Sequence, residues 1–181
     1  GCGGGILAEA MAARGAIDTG IDLGAANIEV ARLHLLESGL DVDYRCTSVE
    51  SLATEQPGAF EVVTCMELLE HVPDPASVIE ACARLVKPGG PVFLSTLNRS
   101  PKAYLFAIVG AEYLLGMLPK GTHDYARFIR PSELGRWLRG AGLDLEHITG
   151  LSYNPLTRAY ALDPDDVTVN YMVCARRPGR G

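Results

Sequence analysis

Through residue 95 the chain alternates short β-branched runs with helical stretches, and that alternation constrains the fold more than any other feature. The spacing predicts a helix over 6–13 and a strand over 16–21 that delivers Asp22. A helix over 25–38 follows, closed by Gly39, then a strand over 42–46. An apolar strand over 60–65 precedes an amphipathic helix over 76–86, stopped by Lys87-Pro88-Gly89-Gly90, and a buried strand over 92–95. Such a β/α alternation implies a mostly parallel, doubly wound α/β sheet. After Asn98 the pattern changes. An apolar, mostly helical stretch covers 102–118, a helix covers 131–141, and two late strands are expected over 145–151 and 167–175.

The glycine run Gly1-Cys2-Gly3-Gly4-Gly5 sits at the head of this pattern. A loop of this kind normally joins a strand to a helix N-terminus and lets backbone approach a ligand. The expectation is therefore a chain of 181 residues that starts partway through a domain, just after a first strand. Gly1, Gly3 and Gly5 are spaced G-x-G-x-G, one residue short of the dinucleotide fingerprint, which argues against NAD. Asp22, at the end of the next strand, has the spacing of a carboxylate that accepts hydrogen bonds from a ribose. Together the loop and Asp22 favour a nucleoside ligand over a tight turn with a surface aspartate.

Composition narrows the function. Net charge is −6, so a free nucleic acid partner is not expected. Residues 1–98 carry 5 basic and 14 acidic side chains, whereas 99–181 carry 11 and 8. The acidic half suits a cationic ligand and the basic half an anionic surface. The five cysteines, Cys2, Cys46, Cys65, Cys82 and Cys174, show no C-x-x-C, so neither a disulfide framework nor a structural zinc is expected.

Two further stretches carry chemistry. Met66-Glu67-Leu68-Leu69-Glu70-His71 follows a strand at the edge where open α/β sheets bind ligands. If 67–71 is a helical turn, Glu67, Glu70 and His71 share a face at i, i+3 and i+4. That set suits a hard cation such as Mg²⁺, or His71 serves as a proton acceptor, or the segment is a polar turn capping the next helix. The stretch 102–118 is too short for a bilayer span, which needs about 20 apolar residues. Bracketing lysines and internal tyrosines instead suggest an interfacial helix, or an apolar lid over the site.

These motifs, taken in order with Leu85-Val86-Lys87-Pro88-Gly89-Gly90, resemble the class I S-adenosylmethionine-dependent methyltransferases. The blocks Ser95-Thr96-Leu97-Asn98-Arg99, Pro119-Lys120-Gly121-Thr122-His123-Asp124 and Tyr153-Asn154-Pro155 are more specific, and with them the chain looks like the O-methyltransferases of ubiquinone biosynthesis. The resemblance implies a Rossmann-like fold with a C-terminal antiparallel hairpin and a first strand missing from this chain. It implies one methyltransferase domain over 1–181, with an apolar insertion at about 99–129. It places Gly1, Gly3, Gly5, Asp22, Ser48, Val49 and Met66 at S-adenosylmethionine, with Ser48-Val49 in a loop that passes the adenine. It assigns Glu67, Glu70 and His71 to Mg²⁺, and Glu67 and His71 to catalysis. The implied acceptor is a polyprenylated phenol or quinol (3-demethylubiquinol and 2-polyprenyl-6-hydroxyphenol). The implied setting is a membrane surface contacted by 102–118, beside other ubiquinone-biosynthesis proteins. That is the cytoplasmic face of a bacterial inner membrane, or the matrix side in a mitochondrion. Another small-molecule acceptor, or a non-catalytic cofactor-binding scaffold, are the rival readings.

Overall fold

The computed structural model describes residues 1–104, 125–154 and 159–179. The chain divides into two compact units, Gly1–Gln56 and Pro57–Gly181.

The first unit runs α1 (Ile6–Ala12), β1 (Asp18–Asp22), α2 (Ala25–Ser38), β2 (Val42–Cys46) and α3 (Val49–Glu55). β1 and β2 pair in parallel, from Asp18 opposite Val42 to Asp22 opposite Cys46. Parallel neighbours need a crossover, and α2 supplies it. Ile28 and Ala31 of α2, Ala8 of α1, and Val42 and Tyr44 of β2 form the core, with Cys2, Ala12 and Leu35 packed around it. Val42 and Tyr44 are two residues apart, so the strand's period of two puts both on the covered face.

In the second unit, β3 (Val63–Met66) leads through a 3-10 turn, Leu69–His71, to α4 (Pro75–Leu85) and β4 (Pro91–Leu97). α5 (Pro101–Ala103) is followed beyond 124 by a 3-10 turn, Tyr125–Arg127, then α6 (Pro131–Gly140), β5 (Asp144–Asn154), β6 (Ala159–Asp163) and β7 (Asn170–Arg176). The sheet order is β3-β4-β7-β5-β6. β3 and β4 are parallel, whereas β7 inserts antiparallel beside β4 and β5 returns antiparallel to β7. α4 begins cleanly because Asp74 accepts hydrogen bonds from the N–H groups of Ala76 (3.1 Å) and Ser77 (3.2 Å), with Pro75 at the first helical position. Its apolar face buries Val78, Ile79, Ala81, Cys82 and Leu85. β4 is the most enclosed strand, with Val92, Leu94, Ser95, Thr96 and Leu97 all buried. Tyr171, Val173 and Ala175 alternate inward from β7 beside it.

Three differences from the sequence reading stand out. The strand expected over 60–65 is Val63–Met66, and Phe60 makes only an isolated bridge to Val86. A third late strand, β6, pairs antiparallel with β5. α3 begins at Val49, where the sequence reading places a loop. Most of the apolar stretch 102–118 lies outside the described residues. At its described edges Ala103 and Phe128 pack with Leu97, and Tyr125 stacks edge-on against both Tyr104 (5.4 Å) and Phe128 (5.6 Å). Among the described residues no helix is long and apolar enough to cross a membrane.

Candidate active site

The glycine loop and Asp22 are brought together in the first unit. The loop is fixed to β1, where the Cys2 N–H donates to the Ile21 carbonyl at 2.8 Å. Asp22 ends β1 and its carboxylate clamps three groups. Oδ2 accepts from the Gly3 N–H (3.0 Å), and Oδ1 accepts from the Gly24 N–H (2.8 Å) and Asn27 Nδ2 (3.1 Å). Partial burial alone would raise the Asp22 pKa. The hydrogen bonds from Gly24, Asn27 and Gly3 outweigh that burial and hold it below the ordinary carboxylate value. A carboxylate has about four lone-pair sites, and three are used here, so one acceptor direction is left for a ligand hydroxyl.

Tyr44 is the floor of the loop, and the sequence reading did not identify it as a site residue. It is only 4 % exposed, and its hydroxyl donates to the Gly5 carbonyl at 3.2 Å. Burial, and then the Glu9 carboxylate, push its phenol up to about 12, so it stays a donor at neutral pH. Two glycines make room for the ring. A Cβ at Gly5 would lie 2.2 Å from the Tyr44 hydroxyl oxygen, and one at Gly20 would lie 2.6 Å from the ring. Gly5 also sits at φ 85, a left-handed conformation that precedes α1 and that other residues adopt only with strain. At Gly3 a Cβ would meet nothing within 4 Å, so the loop is open on that side. Ser48 does not lie in a free loop. Its hydroxyl caps α3 by accepting from the Ser51 N–H at 3.1 Å, and Val49 is the first helical residue. The donor set, a backbone cradle with a carboxylate holding one spare acceptor site, fits the nucleoside part of S-adenosylmethionine.

In the second unit Met66 ends β3, opposite Ser95 of β4. Glu67 takes a left-handed φ of 49, and its N–H is held by both the Ser95 carbonyl (3.1 Å) and the Ser95 hydroxyl (3.0 Å). The helical turn then begins only at Leu69, with the His71 N–H donating to the Leu68 carbonyl at 2.9 Å. Glu67, Glu70 and His71 therefore do not share a face. Glu67 and His71 are exposed, whereas Glu70 is 3 % exposed and turned inward, where it accepts a 2.8 Å hydrogen bond from Thr96 Oγ1. Among the described residues no group of three or more His, Cys, Asp and Glu side chains is arranged to hold a metal ion. The Mg²⁺ expected at Glu67, Glu70 and His71 does not fit this arrangement. The left-handed Glu67, held by Ser95 of β4, breaks the i, i+3, i+4 spacing on which the expectation rests.

The chain is similar to several known proteins. A family model described as a methyltransferase domain matches residues 1–148. The chain is 64% identical over 177 residues to the ubiquinone biosynthesis O-methyltransferase of Saccharophagus degradans, covering 98% of this chain and 75% of that one. It is 68% identical to the protein of the same name from Pseudomonas aeruginosa, covering 98% and 76%. Among solved structures, an S-adenosylmethionine-dependent methyltransferase from Methanosarcina mazei superposes with a TM-score of 0.72 at 20% identity, covering 99% and 91%. A protein solved in a study of echinomycin biosynthesis gives 0.74 at 22%, covering 100% and 75%. At these identities the structural matches speak to the fold alone.

Proposed function

The chain belongs to the ubiquinone biosynthesis O-methyltransferases of the methyltransferase-domain family, and from that membership we propose that it transfers a methyl group from S-adenosylmethionine to a catechol-type hydroxyl on a polyprenylated ring. The acceptors proposed are 3-demethylubiquinol and 2-polyprenyl-6-hydroxyphenol. One observation carries this reading: the likeness to relatives of that name extends over 98% of the chain, through both the cofactor loop and the later strands.

The bound cofactor supplies a methyl group on a sulfonium, which leaves a neutral thioether when the methyl departs. The chain has to hold the cofactor, orient the acceptor oxygen in line with the methyl, and take up the phenol proton. The Gly1–Gly5 backbone, with Gly1, Gly3 and Gly5 free of side chains, receives the methionine part, and the spare acceptor site of Asp22 receives a ribose hydroxyl. Ser48 and Val49, at the start of α3, border the adenine. Positioning of this kind can contribute about 7–11 kcal/mol to lowering the barrier. His71, exposed at the carboxyl edge of β3, accepts the proton as the oxygen attacks. Glu67, four residues upstream, accepts a hydrogen bond from the neighbouring hydroxyl of the catechol.

The apolar insertion at about 99–129 receives the polyprenyl tail and brings the protein to the membrane surface. This places it at the cytoplasmic face of a bacterial inner membrane, within reach of other ubiquinone-biosynthesis proteins. The test is methyl transfer by the purified full-length protein from labelled S-adenosylmethionine to 3-demethylubiquinol, with the product identified as the aryl methyl ether. Label appearing on a carboxylate or amine acceptor instead, or nowhere, overturns the reading. Liposome co-sedimentation of a Leu105→Glu/Ile108→Glu variant tests the membrane contact, and binding equal to wild type refutes it.

A further inference from the structure

We propose that a cleft at the amino ends of β3 and β4 is a second ligand site, which binds a phosphate group between the guanidinium groups of Arg84 and Arg177. The cleft lies wholly in the second unit and is lined by Pro57, Gly58, Arg84, Pro88 and Arg177. Its volume of about 470 Å³ falls within the range of about 300–1,000 Å³ of small-molecule sites. Arg84 stands in the last turn of α4, and Arg177 directly follows β7. Arg176, at the end of β7, pairs with Pro91, the first residue of β4. The seven residues of β4 span about 20 Å, which separates the cleft from the strand ends at Met66 and Leu97.

The cleft is built before any ligand arrives. Its three segments are stitched together through their backbones. The Gly58 N–H donates to the Arg84 carbonyl (2.8 Å), and the Lys87 N–H donates to the Phe60 carbonyl (2.8 Å). The Gly89 N–H donates to the Arg177 carbonyl (2.8 Å), and the Arg177 N–H returns to the Gly90 carbonyl (3.0 Å). The Arg177 guanidinium is itself steadied, because Nη1 donates to the Val86 carbonyl at 2.7 Å. That uses one of its five N–H groups and leaves the others for a ligand. Neighbouring cations are committed elsewhere, Lys87 to Glu61 and Arg176 to Glu146. Among the described residues Arg177 makes no ion pair, and no carboxylate lines the cleft. A site fixed in this way spends little of its binding energy on ordering side chains.

Two guanidinium groups select the ligand chemistry. A carboxylate has two oxygens, which a single guanidinium fork satisfies, whereas a phosphate has enough oxygens to meet two forks. The space between Pro57 and Pro88 takes the organic part of a phosphate ester. A soluble ester and a phospholipid headgroup carry the same group. The rival account is that Arg84 only offsets the negative end of α4, and it predicts no saturable anion binding.

The experiment uses the full-length protein saturated with S-adenosylmethionine, in a buffer of low ionic strength. Inorganic phosphate, pyrophosphate and acetate are titrated by calorimetry into wild type, Arg84→Gln, Arg177→Gln and Arg136→Gln. The last variant removes the same charge from an exposed position on α6. Phosphate and pyrophosphate are expected to bind saturably at one site, and each cleft variant should weaken both at least about tenfold. Arg136→Gln should stay within about twofold of wild type. Co-sedimentation with phosphatidylglycerol vesicles separates the sources. Binding that falls in both cleft variants assigns the site to a lipid headgroup, and unchanged binding assigns it to a soluble ester. Absence of saturable binding of either probe overturns the proposal. So does acetate bound as tightly as phosphate, or an equal loss in Arg136→Gln, which would report diffuse charge. If Arg177→Gln does not fold without its bond to Val86, Arg84→Gln, at an exposed position, carries the same comparison.

Discussion

Gly5→Ala probes the fit between the cofactor loop and its floor. The new methyl would start 2.2 Å from the Tyr44 hydroxyl oxygen, 2.8 Å from the adjoining ring carbon and 3.2 Å from the Ala31 Cβ. Tyr44 has no room to retreat, because its ring already lies where a Cβ at Gly20 would be, within 2.6 Å. Three costs follow. An alanine held at φ 85 costs about 1–2 kcal/mol. Overpacking at a buried contact costs about 1–3 kcal/mol. Losing the hydrogen bond from Tyr44 to the Gly5 carbonyl costs about 1 kcal/mol. Relaxation of the loop shares these costs, so about 3 kcal/mol is the expected loss. For a chain of 181 residues that lowers Tm by about 6–12 °C. The displaced loop should also bind S-adenosylmethionine at least about tenfold more weakly, which is 1.4 kcal/mol. The assay is a thermal melt with calorimetric titration of the cofactor, run as a cycle with Tyr44→Phe. Removing the hydroxyl abolishes the 2.2 Å contact, so the double variant should be about 1 kcal/mol more stable than the sum of the single losses. A Gly5→Ala protein that melts within about 2 °C of wild type, or a strictly additive cycle, would refute the argument.

Asp22→Ala removes the hydrogen bonds to Gly3 of the loop, Gly24 and Asn27, and the remaining acceptor site, so cofactor affinity should fall more than about tenfold in a calorimetric titration, with acceptor KM less affected. His71→Ala should reduce kcat by about 10²–10⁴-fold in the methyl-transfer assay while leaving cofactor binding intact. Glu133 supplies a pH test. Burial would raise its pKa, but the Arg130 N–H and the Arg99 guanidinium hold it below the ordinary 4.5. Its contribution to stability is therefore complete above about pH 4.5 and is lost as pH falls through the lowered native value. Glu133→Gln should flatten that acid limb of a plot of Tm against pH, and an unchanged limb would show that the pair contributes nothing.

The elements that were legible in the sequence are those whose own residues determine them. α2 and β2 fall at 25–38 and 42–46 as the periodicity predicts, and the pairing of the glycine loop with Asp22 follows from spacing alone. α3 escapes the pattern because Val49–Glu55 is a two-turn helix with polar residues at most positions; the Ser48 cap is its local signal. β6 escapes because all but its last residue are exposed, so no inward alternation marks it. The 67–71 turn departs from its helical spacing for a different reason. Its geometry is set by Ser95 and Thr96, 26 or more residues away, and local spacing carries no information about them. A signal for those two was present, since they are hydroxyl residues continuing the apolar run Val92–Leu94. Tyr44 likewise acts on a loop 39 residues upstream, which spacing along one strand does not reveal.

The central claim is O-methylation of a polyprenylated catechol, and a competition assay tests it most directly. Full-length protein is given labelled S-adenosylmethionine with equal amounts of a polyprenylated catechol and the same catechol without its tail. The account predicts label on an aryl oxygen of both, with kcat/KM at least about tenfold higher for the prenylated ring, because a buried tail gains roughly 0.8 kcal/mol per CH₂. Equal kcat/KM for the two rings, or label on neither, would contradict it.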